Sequence, residues 1–373
     1  MKGVEHATVE HATSEPVRPT AAVIGSGAWG TTFASLLAQA GTPTTIWARR
    51  REVAEEINAG TNERYVPGHR LPEGLKATID LVEVVTGASI VVVAVPSQEA
   101  RGVLEPLRGA LADDAVAVSL MKGIELGTGL RMSEVLAEAL DIDASRVVVV
   151  SGPNLADEIA AGQPTATVVA ADDEQVAARI ASLCATGTFR PYTNTDVLGV
   201  ELCGAVKNVI ALAVGAAAGR GLGDNSKATI ITRGLVEITR LGLKLGARPE
   251  TFSGLAGMGD LVATCSSPLS RNQTFGRHLG EGMSVAEAAA ASGPLHLLGD
   301  PLRDRIRRLE ENLAIVDAAL ADATPREVAA LSRRRQDLED AIWRLIPDQS
   351  QKGGGVLDEL ARRRAERTAA SAH

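Results

Sequence analysis

The feature that most limits the fold of this chain is a short apolar run followed by three spaced glycines. Residues 21–27 read AAVIGSG, and Gly25, Gly27 and Gly30 have the spacing G-x-G-x-x-G. A helix-compatible stretch, TTFASLLAQAG, follows directly. A strand that turns through such glycines into a helix is typical of dinucleotide-binding domains, in which the helix N-terminus faces a pyrophosphate. An ordinary glycine-rich turn is the alternative interpretation of the same residues.

Runs of small and β-branched residues recur through the first half of the chain. They lie at 44–48, 89–96, 115–122, 146–151 and 166–171, and helix-compatible stretches separate most of them. Fully apolar strands that alternate with helices are typical of parallel sheets covered on both faces, so the pattern predicts a Rossmann-like, doubly wound α/β sheet. Ligands bind such sheets at the carboxyl ends of the strands, and side chains at those ends are therefore the first candidates for a site.

The character of the sequence changes twice after the predicted sheet. Residues 196–245 form long Ala/Val/Ile/Leu patterns with helical periodicity, which predicts an all-helical second domain, and a charged, leucine-rich segment begins near Pro294. We expect four parts: a disordered tail at 1–20, a dinucleotide-binding domain at 21–195, a helical substrate domain at 196–293 and a helical hairpin or appendage at 294–373.

The composition excludes several classes of function. Hydrophobic residues make up 45% of the 373 residues and the formal net charge is −8, which argues against a general binder of nucleic acid or membrane surfaces. No run of about 18 apolar residues is found, so no membrane span is expected. The three cysteines lack zinc-site spacing, which predicts no metal site and favours a reducing, cytoplasmic location.

Arginines follow the second predicted strand, at the position where NAD-preferring domains usually carry an acidic residue for the ribose 2′-hydroxyl. Arg49, Arg50 and Arg51 occupy this place. Guanidinium groups suit a 2′-phosphate, so NADP(H) is the predicted cofactor, with NAD(H) as the alternative. For each arginine, a solvated start of the next helix is the other interpretation.

Several long motifs then carry a resemblance to the bacterial NAD(P)-dependent glycerol-3-phosphate dehydrogenases. They are GSGAWGTTFA, NERYVPG, VVVAVPSQ, SLMKGIE, SGPNLADEIA, ELCGAVKNVIALAVG, GLGDNSKA and GLAGMGDLVATCSSPLSRNQTFG, in family order over about residues 21–293. The resemblance implies interconversion of dihydroxyacetone phosphate and sn-glycerol 3-phosphate for phospholipid synthesis. It also implies a Rossmann-like domain followed by a helical substrate domain, and a homodimer as the usual assembly.

Lys207 is the candidate catalytic residue. Cys203, Ile210 and Val214 lie at helical spacing from it, which places this lysine on an apolar helix stripe. Such a lysine either extends to the surface or serves a site, where burial would lower its pKa and suit it to proton transfer. The resemblance implies that Lys207 is the acid/base residue.

Further candidates for substrate binding lie at strand ends and in glycine-rich segments. Lys122 ends a predicted strand, Gly152 and Asn154 follow another, and Asp260 lies between glycine-rich turns, with Thr264 one helical turn later. The alternative to a site role is a solvent-facing side chain for Lys122 and a helix N-cap for Asp260. The resemblance implies that Lys122 contacts both substrate and cofactor, and that Ala156 lies near the cofactor.

A hydroxyl, a guanidinium and an amide stand in sequence at Ser270, Arg271 and Asn272. Together these groups suit a phosphate, and the resemblance implies that they bind glycerol phosphate, with Arg271 also contacting the cofactor. Trp29 and Tyr65 resemble positions that line the cofactor, although either could serve only in packing.

The resemblance stops after residue 293. Heptad-like apolar spacing (Leu302, Ile306, Leu309, Leu313, Val316 and Leu320) predicts an antiparallel helical hairpin. This departure leaves two alternatives to an active dehydrogenase of glycerol 3-phosphate. One is a cofactor-binding protein with weak or no catalysis, and the other is a dehydrogenase of similar build that acts on a hydroxy acid or sugar acid.

Overall fold

The computed structural model describes residues 19–292 and, beyond them, Gln336 alone. The chain divides into two compact units, Met1–Gly299 and Asp300–His373, and the fold below belongs to the first. Most of the predicted tail at 1–20 and, apart from Gln336, the predicted hairpin at 294–373 lie outside the described residues.

One mixed sheet forms the centre of the first half of the chain. Its strand order is β3-β2-β1-β4-β5-β6-β7-β8. The strands are β1 Ala21–Ile24, β2 Thr44–Trp47, β3 Lys76–Thr78, β4 Ile90–Val93, β5 Val116–Ser119, β6 Val147–Ser151, β7 Thr165–Ala170 and β8 Phe189–Asn194. The strand order reverses at β1, which pairs in parallel with both β2 and β4. A ligand-binding crevice is expected at this point of a doubly wound sheet.

The expectation of a wholly parallel sheet was wrong beyond β6. Strand β7 pairs antiparallel with β6, and β8 runs parallel to β7. The connection from β6 to β7 contains one helix of five residues, Ala156–Ala160. A parallel crossover usually contains a longer helix that packs along the sheet. This connection, with its one short helix, instead returns the chain beside the carboxyl end of β6.

Two strands escaped the sequence interpretation because both lie at the edges of the sheet. Strand β3 has only three residues, and β8 reads FRPYTN, with a buried Phe189 followed by mostly exposed or half-buried residues. A proline within a strand is tolerated at a sheet edge, and its presence hid β8 from a search for continuous apolar runs.

Seven helices cover the sheet. They are α1 Ala28–Gln39, α2 Arg51–Asn58, α3 Leu81–Val85, α4 Ala100–Leu104, α5 Met132–Leu140, α6 Ala156–Ala160 and α7 Glu174–Cys184. Alternate strand residues enter separate apolar clusters, Val23 with Phe33 on one face and Ile24 with Leu136 on the other. The central strands are therefore buried on both sides, as their uninterrupted apolar sequences indicated.

The predicted helical character of residues 196–245 is confirmed. Helix α8 Val197–Gly219 and helix α9 Asp224–Leu245 occupy this segment. Four shorter helices follow: α10 Pro249–Ser253, α11 Asp260–Ser266, α12 Arg271–Gly280 and α13 Val285–Ser292.

Helices α8 and α12 approach each other so closely that glycine is required on both. A Cβ atom added to Gly215 or Gly219 would overlap the α12 backbone at Gln273 or Arg277. A Cβ atom at Gly276 or Gly280 would likewise overlap the α8 backbone. Since the facing positions advance together, the two helices run parallel, and the first turn of α12 lies near the part of α8 that follows Lys207.

Helix α8 is long and apolar enough to cross a membrane by length and composition, alone among the helices that the structure describes. Half of its apolar window is buried inside the protein, and its buried residues include Glu201 and Lys207. Buried polar side chains of this kind are what a core helix at a functional site carries, so α8 is read as a core helix.

Candidate active site

The centre of the candidate site is an ion cluster that joins α8, α11 and the loop after β5. The Lys207 ammonium donates to Asp260 Oδ1 at 2.5 Å and to Thr264 Oγ1 at 2.5 Å. The Lys122 ammonium donates to Asp260 Oδ2 at 2.7 Å and to the Gly152 carbonyl oxygen at 3.1 Å. One buried carboxylate therefore holds two ammonium groups, and the cluster keeps a net positive charge suited to an anionic substrate.

Local backbone structure brings Asp260 to this position. A single π-helical turn, Leu255–Gly259, precedes α11, and Asp260 is the first residue of that helix. A Cβ atom at Gly257 would overlap the backbone of Phe252, so the tight turn requires glycine. Because its side chain pairs with the lysines, Asp260 does not serve as the N-cap that the sequence left open.

Burial changes the acidity of Lys207. Desolvation by the surrounding protein lowers its pKa to about 8, against the opposing attraction of Asp260, and the nearby Lys122 ammonium lowers the pKa further. A lysine with this pKa can both give and take a proton near neutrality. Two of its three donor directions point to Asp260 and Thr264, which leaves one for a substrate oxygen.

The carboxyl end of β6 brings further polar groups beside the lysines. Gly152 has φ +147°, and an added Cβ atom would lie 3.2 Å from the Thr167 Cα atom. Asn154 donates from Nδ2 to Thr167 Oγ1 at 3.0 Å. On the α8 side, a Cβ atom at Gly204 would lie 2.9 Å from Ser151 Oγ, so this glycine lets the helix approach the strand end.

The Ser270–Asn272 triplet forms the start of α12. Ser270 is the N-cap, and its hydroxyl accepts a bond from Gln273 N at 3.3 Å. Arg271 is exposed and Asn272 is buried. The parallel packing of α8 and α12 places this triplet about one helical turn beyond Lys207, and a helix N-terminus favours a phosphate.

Three side-chain atoms in this region are buried and unpaired within the described part of the chain. They are Ser151 Oγ, Asn154 Oδ1 and Asn272 Oδ1. Buried polar atoms nearly always have partners in native proteins. Ser151 Oγ and the Lys122 side chain both lie next to Gly204, and unpaired polar atoms at strand β6 and at the start of α12 fit a site that a polar ligand completes.

The glycine-rich turn has the geometry of a phosphate cradle. Gly25 has φ +116°, and a Cβ atom there would lie 2.6 Å from the Ala94 carbonyl oxygen. A Cβ atom at Gly30 would overlap the Gly25 carbonyl oxygen, whereas one at Gly27 would meet nothing within 4 Å. The protein's own packing therefore requires glycine at positions 25 and 30, while position 27 faces open space in which a ligand can approach the backbone.

The expected adenosine end of the cradle contains a connected pair of side chains. Arg50 donates from Nη2 to the Tyr65 hydroxyl at 3.1 Å, and Arg49 forms an exposed ion pair with Glu99 at 3.2 Å. Trp29 packs edge-on against Phe33, and its indole nitrogen is buried without a hydrogen bond to any described residue. Ala156 begins α6, a helix that packs against α1.

Two polar residues to which the sequence assigned no definite role also lie here. Thr264 was expected to be able to share the site with Asp260, and their four-residue spacing on one helix was the available signal. Asn62 lies within the quoted NERYVPG motif, and its fully buried amide contacts the glycine-rich turn. Nothing in the local sequence pattern distinguishes Asn62 from a solvated loop residue.

Among the described residues, no group of three or more His, Cys, Asp or Glu side chains is arranged to hold a metal ion. The three cysteines are free and buried. Burial raises the pKa of the Cys203 thiol to about 12 and that of the Cys265 thiol to about 11, so both remain protonated near neutrality.

Family comparison agrees with the geometry over most of the chain. The model for the NAD-dependent glycerol-3-phosphate dehydrogenase N-terminus matches residues 20–177, and that for the C-terminus matches residues 196–319. The chain belongs to this family. The C-terminal match continues beyond residue 293, where the resemblance read from the motifs ended.

Named relatives support this membership. The chain is 59% identical over 280 residues to a glycerol-3-phosphate dehydrogenase [NAD(P)+] of Streptomyces avermitilis, covering 75% of this chain and 83% of the relative. A relative from Corynebacterium diphtheriae with the same name is 51% identical over 325 residues, covering 87% and 97%. The crystal structure of a glycerol-3-phosphate dehydrogenase from Coxiella burnetii is 34% identical, covers 88% and 99%, and has a TM-score of 0.71.

Proposed function

We propose that the chain is an oxidoreductase that interconverts dihydroxyacetone phosphate and sn-glycerol 3-phosphate with NAD(P)H or NAD(P)+. The observation that carries this proposal is the Lys207–Asp260–Lys122 cluster in a member of the glycerol-3-phosphate dehydrogenase family. It combines a proton donor of near-neutral pKa with positive charge for a phosphate ester.

The glycine-rich turn fits a dinucleotide, because Gly27 faces open space and the turn leads into the N-terminus of α1. In this proposal, Gly25, Gly27 and Gly30 form the pyrophosphate site, and Trp29, Tyr65 and Ala156 line the cofactor. When bound, the nicotinamide supplies a hydride to the C2 carbonyl carbon of dihydroxyacetone phosphate.

Lys207 then donates a proton to the carbonyl oxygen as negative charge develops there. Asp260 orients the ammonium, and Thr264 fixes its second direction. In the reverse reaction, neutral Lys207 accepts the hydroxyl proton of sn-glycerol 3-phosphate. Proton and hydride together account for the two hydrogens that distinguish the alcohol from the ketone.

Binding of the substrate is assigned to groups around this lysine. Lys122, with its ammonium held by Asp260 and the Gly152 carbonyl, supplies charge beside the reacting carbon and also contacts the cofactor. Asn154 supplies a buried amide oxygen, and Ser270, Arg271 and Asn272 form the phosphate site at the start of α12. Arg271 also reaches the cofactor. Fixed placement of both reactants supplies much of the rate acceleration.

NADP(H) is the proposed preferred cofactor. Strand β2 is followed by Arg49 and Arg50 rather than an acidic residue, and Arg50 is already held by Tyr65 at 3.1 Å. A guanidinium in this place suits a 2′-phosphate and offers less to a free 2′-hydroxyl. The Arg50→Gln variant is therefore expected to lose NADPH affinity while keeping that for NADH.

The remaining expectations concern the setting of the enzyme. We propose a cytoplasmic homodimer whose product, sn-glycerol 3-phosphate, feeds phospholipid synthesis. Sedimentation of the full chain tests the dimer, and a monomer at micromolar concentration would contradict it.

The activity is tested by adding dihydroxyacetone phosphate to the purified full-length chain with NADPH or, separately, with NADH. Oxidation of the nucleotide with formation of sn-glycerol 3-phosphate is the expected result, and faster turnover with NADPH would support the assignment of Arg50. Binding of dinucleotide without turnover would instead favour a cofactor-binding protein. Turnover only with a hydroxy acid or sugar acid would favour the other dehydrogenase class.

A further inference from the structure

Asn62 lies outside the glycine-rich turn in sequence but is bonded to it in the structure. Its side chain is fully buried, and Nδ2 donates to the Ser26 carbonyl oxygen at 3.1 Å and to Thr31 Oγ1 at 2.9 Å. The Thr31 hydroxyl donates to the same Ser26 carbonyl oxygen at 3.1 Å. Two buried donors therefore hold one carbonyl group in the middle of the turn.

This arrangement fixes the direction of a backbone donor. The Ser26 carbonyl and the Gly27 N–H belong to one peptide unit, which is planar and trans, so the two groups point in opposite directions. Holding the carbonyl oxygen from the Asn62 side directs the Gly27 N–H away from Asn62. Position 27 is also the glycine of the turn that faces open space.

The backbone of Asn62 links the same turn to the arginine that follows β2. Its carbonyl oxygen accepts from Tyr65 N at 3.0 Å and from Val66 N at 2.8 Å. The Tyr65 hydroxyl in turn accepts from Arg50 at 3.1 Å. One residue thus bridges the glycine-rich turn and the Arg50–Tyr65 pair.

The buried position of the Asn62 side chain lowers the stability of the fold. Asn62 Oδ1 is buried and has no hydrogen-bond partner among residues 19–292. A buried polar atom without a partner lowers stability, so stability alone does not account for an asparagine here.

We propose that Asn62 is a positioning residue for the dinucleotide pyrophosphate, acting by orienting the Ser26–Gly27 peptide. The inference rests on the proposed dinucleotide-dependent function and assigns this role to the motif segment after α2. The role has a specific consequence. Loss of the Asn62 amide lowers the affinity for every ligand that contains the pyrophosphate by the same factor, whether or not a 2′-phosphate is present.

The test measures dissociation constants of NADPH, NADH and ADP-ribose for the full-length chain by calorimetry, without substrate. Asn62→Ala is expected to raise all three at least about tenfold and by similar factors, equivalent to the loss of about 1.4 kcal/mol of binding free energy. Thr31→Val, which removes the second donor to the Ser26 carbonyl, is expected to raise all three as well. It provides a second route if Asn62→Ala fails to fold. Arg50→Gln is expected to raise the dissociation constant of NADPH and to leave those of NADH and ADP-ribose unchanged.

Asn58→Ala is the matched control. The side chain of this exposed asparagine also bonds to backbone groups, but it lies away from the turn. Its Oδ1 atom accepts from Ala77 N at 2.9 Å, and its Nδ2 atom donates to the Ala77 carbonyl oxygen at 3.0 Å. Its loss is expected to leave the three dissociation constants unchanged. In initial-rate measurements, Asn62→Ala is expected to raise the KM for NADPH by more than it lowers kcat, because the change acts on dinucleotide binding, whereas Asn58→Ala leaves both constants unchanged.

Unchanged dissociation constants in folded Asn62→Ala and Thr31→Val, with normal binding by the wild type, would overturn the role of Asn62 and leave the proposed function standing. A loss confined to NADPH would also overturn it. Failure of the wild-type chain to bind any of the three ligands would overturn both proposals.

Discussion

A lysine ammonium at the centre of the site is buried beside one carboxylate and a second ammonium. Burial alone favours the neutral amine, whereas Asp260 favours the charged form, and the balance sets the pKa of Lys207 at about 8 instead of 10.5. The second lysine, Lys122, takes the other oxygen of the same carboxylate. Desolvation is the largest influence on the pKa of Lys207, and the Lys122 ammonium lowers it further, so the Lys207 proton stays transferable near neutral pH.

The pH dependence of turnover follows from this pKa. Protonated Lys207 is required for reduction of the ketone, so kcat/KM for reduction is expected to be level below pH 8 and to fall above it. Neutral Lys207 is required for oxidation of the alcohol, so kcat/KM in that direction is expected to rise through the same range. Initial rates measured in both directions across this range test the assignment. Profiles that move in the same direction would contradict it.

At the scale of secondary-structure elements, α8 carries the proposed catalytic lysine and packs on α12 through glycines. Gly215 and Gly219 on one helix face backbone of the other, and Gly276 and Gly280 do the same in return. Because only glycine permits this approach, the first turn of α12, which carries the proposed phosphate site, lies close to the helix of Lys207.

A single methyl group in this contact is expected to be costly. In Gly276→Ala the new Cβ atom would overlap the Leu212 carbonyl oxygen. We expect a loss of about 1–3 kcal/mol in the free energy of unfolding and a raised KM for dihydroxyacetone phosphate. Denaturant unfolding and initial rates provide the measurements. Gly102→Ala is the control, since that helical glycine has nothing within 4 Å of an added Cβ atom, and equal stability of the two variants would contradict the packing argument.

The same elements show how far sequence reasoning reached. The first strand, the glycine-rich turn and the helix that follows were predictable because the glycine spacing stands between a strand-like run and a helix-like run. The burial of Lys207 agrees with the apolar helix stripe predicted for it, whereas its role as the acid/base residue stays a prediction. The antiparallel direction of β7 was not predictable from the sequence. The direction of a strand depends on the connection before it, and the helix in this connection is only five residues long. The buried role of Asn62 depends on contacts with Ser26 and Thr31, which are distant in sequence.

At the scale of the whole molecule, one buried carboxylate attaches α8 to the half of the chain that contains the sheet. Glu201 accepts from Ser133 N at 2.8 Å, from Ser133 Oγ at 2.5 Å and from Arg131 at 2.8 Å. These partners lie at the start of α5, whereas Lys207 lies less than two turns further along α8. The contact therefore fixes α8, which carries the proposed catalytic lysine, relative to the sheet.

Removal of this carboxylate is expected to weaken the joint between the two halves. Glu201→Ala leaves the two Ser133 donors without their acceptor, while Arg131 keeps its bond to Glu134. We expect a loss of about 2–4 kcal/mol in the free energy of unfolding, since each unpaired buried donor costs about 1–3 kcal/mol. Glu237→Ala, which removes an exposed pair with Arg240, is expected to cost at most about 1 kcal/mol. Urea unfolding of both variants gives the comparison, and equal losses would show that Glu201 has no special part in the joint.

The central claim is that Lys207 exchanges the proton of the reaction. The most direct measurement compares NADPH oxidation by the wild type, Lys207→Ala and Lys227→Ala in the presence of dihydroxyacetone phosphate. Lys227 is a suitable control because, within residues 19–292, its ion pair is the local one with Asp224 on α9. The account predicts a loss of about 10²–10⁴-fold in kcat for Lys207→Ala, with NADPH binding retained and Lys227→Ala unaffected. Turnover near the wild-type rate in a folded Lys207→Ala variant would contradict it.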